Sequence, residues 1–183
     1  MNRLYFIRHG ESKANVDGVW GANTRLTEEG IRQAKRAAQH AKEKGLSFNL
    51  IISSPMIRAQ ETAKEIALAV GYPVESIVLD DSIKERYFGE LEDSKVADDI
   101  NMIHGKDETY VEKYKDVESM EALQVRANNV LARLKARPEE NILVVSHSSF
   151  GRALRRSADA HQYTTSETAF SHLPNAEIFE LEI

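Results

Sequence analysis

The chain predicts an α/β fold, a three-layer α/β/α sandwich around a mostly parallel sheet, with a short helical insertion over the C-terminal edge of that sheet. Two observations predict the sandwich. Short apolar runs alternate with longer stretches of helical pattern, and two of those runs, Leu4-Tyr5-Phe6-Ile7 and Ile142-Leu143-Val144-Val145, are unbroken by polar residues, as in strands buried in a parallel sheet. A third observation predicts the insertion: from Gly89 to Glu121 the alternation stops and acidic residues far outnumber the lysines.

The first strand spans Leu4 to Ile7 and ends abruptly in Arg8-His9-Gly10. Thr27 is the expected N-cap of a helix running to about Lys44, with Glu28 and Glu29 in the first turn where the helix dipole favours acids, and Gly45 as its stop. Phe48 to Ile52 is the second strand; Ser53-Ser54-Pro55 then feeds a helix from Met56 to about Val70 whose first turn can hold the proline. Ile77-Val78-Leu79 reads as a weaker third strand. A helix from about Ser119 to Lys135 turns Leu123, Val130, Leu131 and Leu134 toward the core, and Pro138 closes it. Asn141 to Ser146 is the clearest buried strand, and it too stops in a histidine, His147. Ala176 to Ile183 alternates apolar and acidic residues and reads as an edge or antiparallel strand.

A length of 183 residues fits one domain, 1–183, with 89–121 as a lid. A net charge of -5 without a long basic run argues against a nucleic-acid surface. With no cysteine there is no disulfide, thiol nucleophile or thiolate metal site. No apolar run approaches the roughly 20 residues of a membrane helix, and Arg8 interrupts the only apolar stretch near Met1, so a cytoplasmic location is expected.

In a parallel sheet all strands point one way, so His9 and His147 are expected at the same carboxyl edge, where such folds build their sites. Arg58, in the first turn after Pro55, belongs to that edge as well. Two histidines and two arginines without an obvious carboxylate would repel one another, and a bound phosphate is the simplest counter-charge. Gly10 is expected to let the backbone turn sharply and approach the anion. Metal binding is not expected, because no His-x-x-x-His spacing or carboxylate pair accompanies these histidines.

These residues fall in a pattern that resembles the histidine phosphatase superfamily, of phosphoglycerate-mutase-like fold. The resemblance is carried by Arg8-His9-Gly10-Glu11-Ser12 through Asn15, by Leu26 to Gly30, and by Ser53 to Thr62. It continues through Glu85-Arg86-Tyr87-Phe88-Gly89, Val144 to Arg152, and Leu173-Pro174-Asn175-Ala176. It implies a phosphohistidine mechanism without a cofactor. His9 is implied as the nucleophile through Nε2, with its other nitrogen donating to backbone. Arg8, Arg58 and His147 are implied to hold the phosphoryl oxygens, with further donors from Asn15 and the Ser148 backbone. Glu85 is implied as the general acid that protonates the leaving oxygen and then activates water.

Both phosphatases and mutases share this pattern. The implied partner is a small phosphorylated metabolite, bound by a monomer or a homodimer. Selectivity is expected from the segment Val19 to Arg25, with Trp20, Gly21 and Arg25 toward the non-phosphate part, from Arg86 and Tyr87, from the acidic insertion, and from the loop Ser166 to Asn175. The acidic insertion disfavours retention of a doubly anionic substrate and points to hydrolysis, whereas the Glu85-Arg86-Tyr87-Phe88-Gly89 block is mutase-like. A third reading is a weakly active phosphate-binding or protein-interaction member.

Overall fold

A computed structural model describes residues 2–95, 114–158 and 173–181. The described elements are β1 (Arg3–Arg8), α1 (Lys13–Asp17), α2 (Glu28–Glu43), β2 (Leu50–Ser53), α3 (Ile57–Val70), β3 (Val78–Leu79), α4 (Met120–Lys135), β4 (Asn141–Ser146), α5 (Ser148–Ala158) and β5 (Ile178–Leu181). The sheet runs β3-β2-β4-β1-β5. Its first four strands are parallel, and β5 pairs antiparallel with β1 in the register Leu4 with Leu181 and Phe6 with Phe179.

Strand alternation sorts the core into two faces. Leu4, Phe6, Ile142 and Val144 pack with Leu123, Val130, Leu134, Phe150 and Leu154 of α4 and α5. Tyr5, Ile7, Leu143 and Val145 pack on the other face with Ala37, Ala38, Ala63, Ile66 and Ala67 of α2 and α3. Alanines dominate that second layer, which lets α2 and α3 approach the sheet closely. The three-layer α/β/α sandwich expected from the sequence is present. None of the described helices is long and apolar enough to cross a membrane.

The local signals explain most boundaries. The Thr27 side chain accepts from the Gly30 amide and caps α2, and Ser119 caps α4 through the Ala122 amide. Pro55 lies before the N-cap Met56 rather than within the first turn of α3. Two helices are absent from the sequence reading. Helix α1 is a single turn built by a reciprocal box: the Ser12 hydroxyl accepts from the Asn15 amide, and the Asn15 side chain accepts from the Ser12 amide. Helix α5 starts directly after His147, and its Gly151 lies against the ring of Phe6, where a methyl group would overlap. Among the described residues of 89–121 the helical character is a 3-10 turn at Gly89–Leu91 and the start of α4 at Met120; residues 96–113 lie outside the described residues.

Candidate active site

Strands β1, β4 and β2 are neighbours and end together, which brings His9, His147 and Ser54 side by side at one edge. The imidazoles of His9 and His147 meet edge to face, with centroids 5.1 Å apart. Both are buried.

His9 is held at both nitrogens. Nδ1 lies 2.7 Å from the Gly10 carbonyl and donates to it, so Nε2 carries the lone pair, which accepts from Nε of Arg58 at 3.0 Å. Burial, reinforced by the charges of Arg58 and Arg8, holds the His9 pKa well below the ordinary imidazole range. The imidazole is therefore neutral at neutral pH. His147 is kept neutral in the same way, by burial first and then by Arg58, His9 and Arg8, and its Nε2 lies 2.8 Å from the Ser54 hydroxyl.

Three guanidiniums surround this pair. Arg58 is anchored by a bond from Nη1 to the Ala22 carbonyl at 2.7 Å, not by Glu61, which instead accepts from the Leu26 amide. Nη1 of Arg8 donates to the Leu173 carbonyl, and burial lowers its pKa to about 10, so it stays charged at neutral pH. Arg152, one turn into α5, lines the same chamber, and the sequence reading had assigned it no role. Its signal was its spacing: four residues after Ser148, a helix starting at the strand end turns both side chains to one face.

The carboxylate that the strand ends lack is supplied by Glu85, the residue implied as general acid. Glu85 lines the chamber, where its oxygens accept from the amides of Ser149 at 2.9 Å, Phe150 at 3.2 Å and Arg86 at 2.9 Å. It sits at the N-terminus of α5, where partial positive charge gathers, and the charges of Arg8, Arg58, Arg86 and Arg152 all feel it. Neither flanking cation pairs with its carboxylate: Lys84 pairs with Asp81, and Arg86 donates to the Glu118 carbonyl.

The remaining predicted residues divide between three places. Asn15, Trp20, Gly21 and Ser148 line the inner chamber of about 260 Å³ with Arg8, His9, Arg58 and Glu85. The Oδ1 of Asn15 is engaged by Ser12, and Trp20 packs on Phe88 with centroids 4.4 Å apart. The Ser148 hydroxyl is buried with no hydrogen-bond partner among the described residues. Arg86 and Tyr87 line an outer cavity of about 890 Å³, which meets the inner chamber at Gly21 and Glu85. Arg25 does neither: its exposed side chain pairs with Glu61 at 3.5 Å and borders a separate groove with Lys64 and Leu79. The ion pair with Glu61 on α3 holds Arg25 away from the chamber, so its place in the segment Val19 to Arg25 is misleading.

Gly10 is also required for a different reason than the sequence reading gave. A methyl group there would overlap the Gly30 carbonyl, and one at Gly30 would overlap the Glu11 carbonyl. The His9 loop is thus pressed against the first turn of α2. Thr62 supports it from α3, accepting from the Gly10 amide at 3.1 Å and donating to the Arg58 carbonyl at 2.8 Å. From the other side the segment 173–181 closes on it, with Asn175 Nδ2 donating to the His9 carbonyl at 2.7 Å and the Ala176 amide to the Arg8 carbonyl at 2.9 Å.

Comparison with known proteins identifies the family. A sequence model of the histidine phosphatase superfamily (branch 1) matches residues 4–183. The chain belongs to the histidine phosphatase superfamily. Within it, the chain is 35% identical over 156 residues to an adenosylcobalamin/alpha-ribazole phosphatase of Escherichia coli, spanning 79% of this chain and 73% of that protein. It is also 30% identical over 169 residues to a 2,3-bisphosphoglycerate-dependent phosphoglycerate mutase of Methylobacterium, spanning 84% and 79%. The fold superposes on a mycobacterial glucosyl-3-phosphoglycerate phosphatase, solved with VO3, with a TM-score of 0.80 over 98% of this chain and 92% of the other, at 23% identity. Superfamily membership does not by itself separate the two chemistries, since its members here include both.

Proposed function

We propose that this protein is a metal-independent phosphomonoesterase that hydrolyses a small phosphorylated metabolite through a phosphohistidine on His9. The observation that carries the reading is the state of His9: a buried, neutral imidazole with Nδ1 tied to the Gly10 carbonyl and the Nε2 lone pair on the chamber side, beside Arg58. In the first step Nε2 attacks phosphorus in line and the P–O bond to the leaving group breaks. Glu85, in its protonated form, gives its proton to the departing oxygen. In the second step the Glu85 carboxylate takes a proton from water as its oxygen attacks phosphorus, and the N–P bond breaks to release inorganic phosphate and His9.

Charge supports hydrolysis over transfer. Arg8, Arg58 and Arg152 gather on the inner chamber, where their charge favours one phosphomonoester anion. In the outer cavity the cations are already engaged. Arg126 is bidentate on Glu118 and also donates to the carbonyls of Ser82, Lys84 and Glu85; Arg86 is bonded to the Glu118 carbonyl and Lys84 to Asp81. Glu92 and Asp93 line the same space. Among the described residues, the Arg126 and Lys84 charges of this cavity are already paired with carboxylates, which leaves little for a leaving group carrying a carboxylate or second phosphate, as a mutase requires.

The mutase reading rests on the Glu85-Arg86-Tyr87-Phe88-Gly89 block and on the 30% identity to the Methylobacterium mutase. A panel of phosphorylated metabolites, assayed for phosphate release with and without a chelator, tests the proposal. His9-dependent release that survives chelation is expected. Interconversion of 3- and 2-phosphoglycerate, primed by 2,3-bisphosphoglycerate and faster than hydrolysis, would establish the mutase instead.

A further inference from the structure

Strand β4 lies between β2 and β1, so His147 has Ser54 at the end of β2 on one side and His9 at the end of β1 on the other. Ser54 is fully buried. Its hydroxyl oxygen accepts from the Met56 amide at 3.3 Å and lies 2.8 Å from Nε2 of His147. A hydroxyl has one proton to donate. The Met56 amide is itself a donor, so among the described residues the imidazole nitrogen is the acceptor that the hydroxyl proton finds.

A neutral imidazole that accepts at Nε2 carries its proton on Nδ1. In His147 that Nδ1 is buried and has no hydrogen-bond partner among the described residues. An unpaired buried donor is destabilising, and an acceptor bound next to His9 would satisfy it. We propose that Ser54 is a positioning residue that fixes the Nδ1–H tautomer of His147 and so presents that N–H to an oxygen of the phosphoryl group. The second half of this statement rests on the phosphatase reading; the tautomer does not. The opposite tautomer would place the proton of Nε2 against Ser54 and leave a bare lone pair at Nδ1, which repels a phosphoryl oxygen.

The tautomer is read directly from one-bond proton–nitrogen correlations in protein labelled with 15N-histidine. The wild type is expected to carry the His147 proton on Nδ1, with that resonance moving when inorganic phosphate is added. Ser54→Ala should remove the preference and lower kcat toward p-nitrophenyl phosphate roughly tenfold to a hundredfold, less than the loss of a transition-state donor outright, with KM changed less than kcat. Ser54→Thr keeps the hydroxyl and should retain both the tautomer and most of kcat. An Nε2–H tautomer in the wild type overturns the proposal whatever the protein hydrolyses, and needs no variant to fold. An Nδ1–H proton that phosphate does not move overturns the presentation step. An Nδ1–H tautomer in a protein that turns over no phosphomonoester supports the role of Ser54 while removing the phosphatase reading.

Discussion

Nε of Arg58 donates a hydrogen bond to Nε2 of His9 at 3.0 Å. The guanidinium thus aims the atom assigned as nucleophile, and in the proposed reaction the same donor would pass to a phosphoryl oxygen as that lone pair turns to phosphorus.

Arg58→Ala is expected to lower kcat/KM by about a hundredfold to a thousandfold, the range for removal of one transition-state donor. Its pH profile should also move. Arg58 is second only to burial in holding the His9 pKa down, so removing it raises that pKa and lets imidazolium form at higher pH. The acid limb of kcat/KM should therefore shift upward in the variant, and a limb that stays in place would exclude this electrostatic role.

Glu85→Gln keeps an oxygen for the amides of Ser149 and Phe150 but cannot exchange a proton. Alkyl phosphates, whose leaving oxygen needs that proton, should lose about 10²–10⁴ in turnover. p-Nitrophenyl phosphate, with a stable leaving anion, should still give a burst of p-nitrophenol followed by slow release of phosphate. Rapid-quench measurements that find both substrates equally impaired in the burst would remove Glu85 as the acid.

Arg152 and Arg25 separate by location. Arg152→Ala, in the inner chamber, is expected to raise the inhibition constant of inorganic phosphate about tenfold, the equivalent of about 1.4 kcal/mol. Arg25→Ala, in the separate groove beside Glu61, should leave it within about twofold. A steady-state inhibition series on both variants decides the assignment, and a larger effect from Arg25 would reverse it.

Gly30→Ala tests the contact beneath the nucleophile. The added methyl meets the Glu11 carbonyl, which cannot swing aside as a side chain could. Overpacking of this kind costs about 1–3 kcal/mol, or a drop in Tm of roughly 2–10 °C for a chain of this size. Because Glu11 is two residues from His9, activity should fall along with Tm. Gly45→Ala, at a site where nothing lies near an added methyl, should cost stability through its positive φ alone and spare activity. Thermal melts and kcat on the two variants distinguish them.

Much of this was readable in the sequence because it rests on local patterns. Unbroken apolar runs marked β1 and β4, Thr27 and Ser119 marked the starts of two helices, and parallel strands ending in His9 and His147 implied a common edge. What was missed depends on contacts between distant segments. Helix α5 was hidden because Ser148-Ser149-Phe150-Gly151 is weak in helix propensity and is held by Phe6 and the sheet. Arg152 went with it. Glu85 itself was legible through the resemblance, but its anchoring by the α5 amides, 64 and 65 residues away, was not. Arg25 failed for the opposite reason: its neighbours in sequence face the site, while its own side chain follows Glu61 on α3.

The bonds that join Arg8 to Leu173, His9 to Asn175 and Arg8 to Ala176 link residues 165, 166 and 168 positions apart. The loop that carries the nucleophile leaves the ribosome among the first residues of this sequence, yet its carbonyls find their donors only when the β5 segment arrives. Contacts of such long separation close late in folding. The His9 imidazole is thus without its full set of restraints while the chain is being made, and nascent protein up to Ser157 should have β1 and its helices but not a complete site.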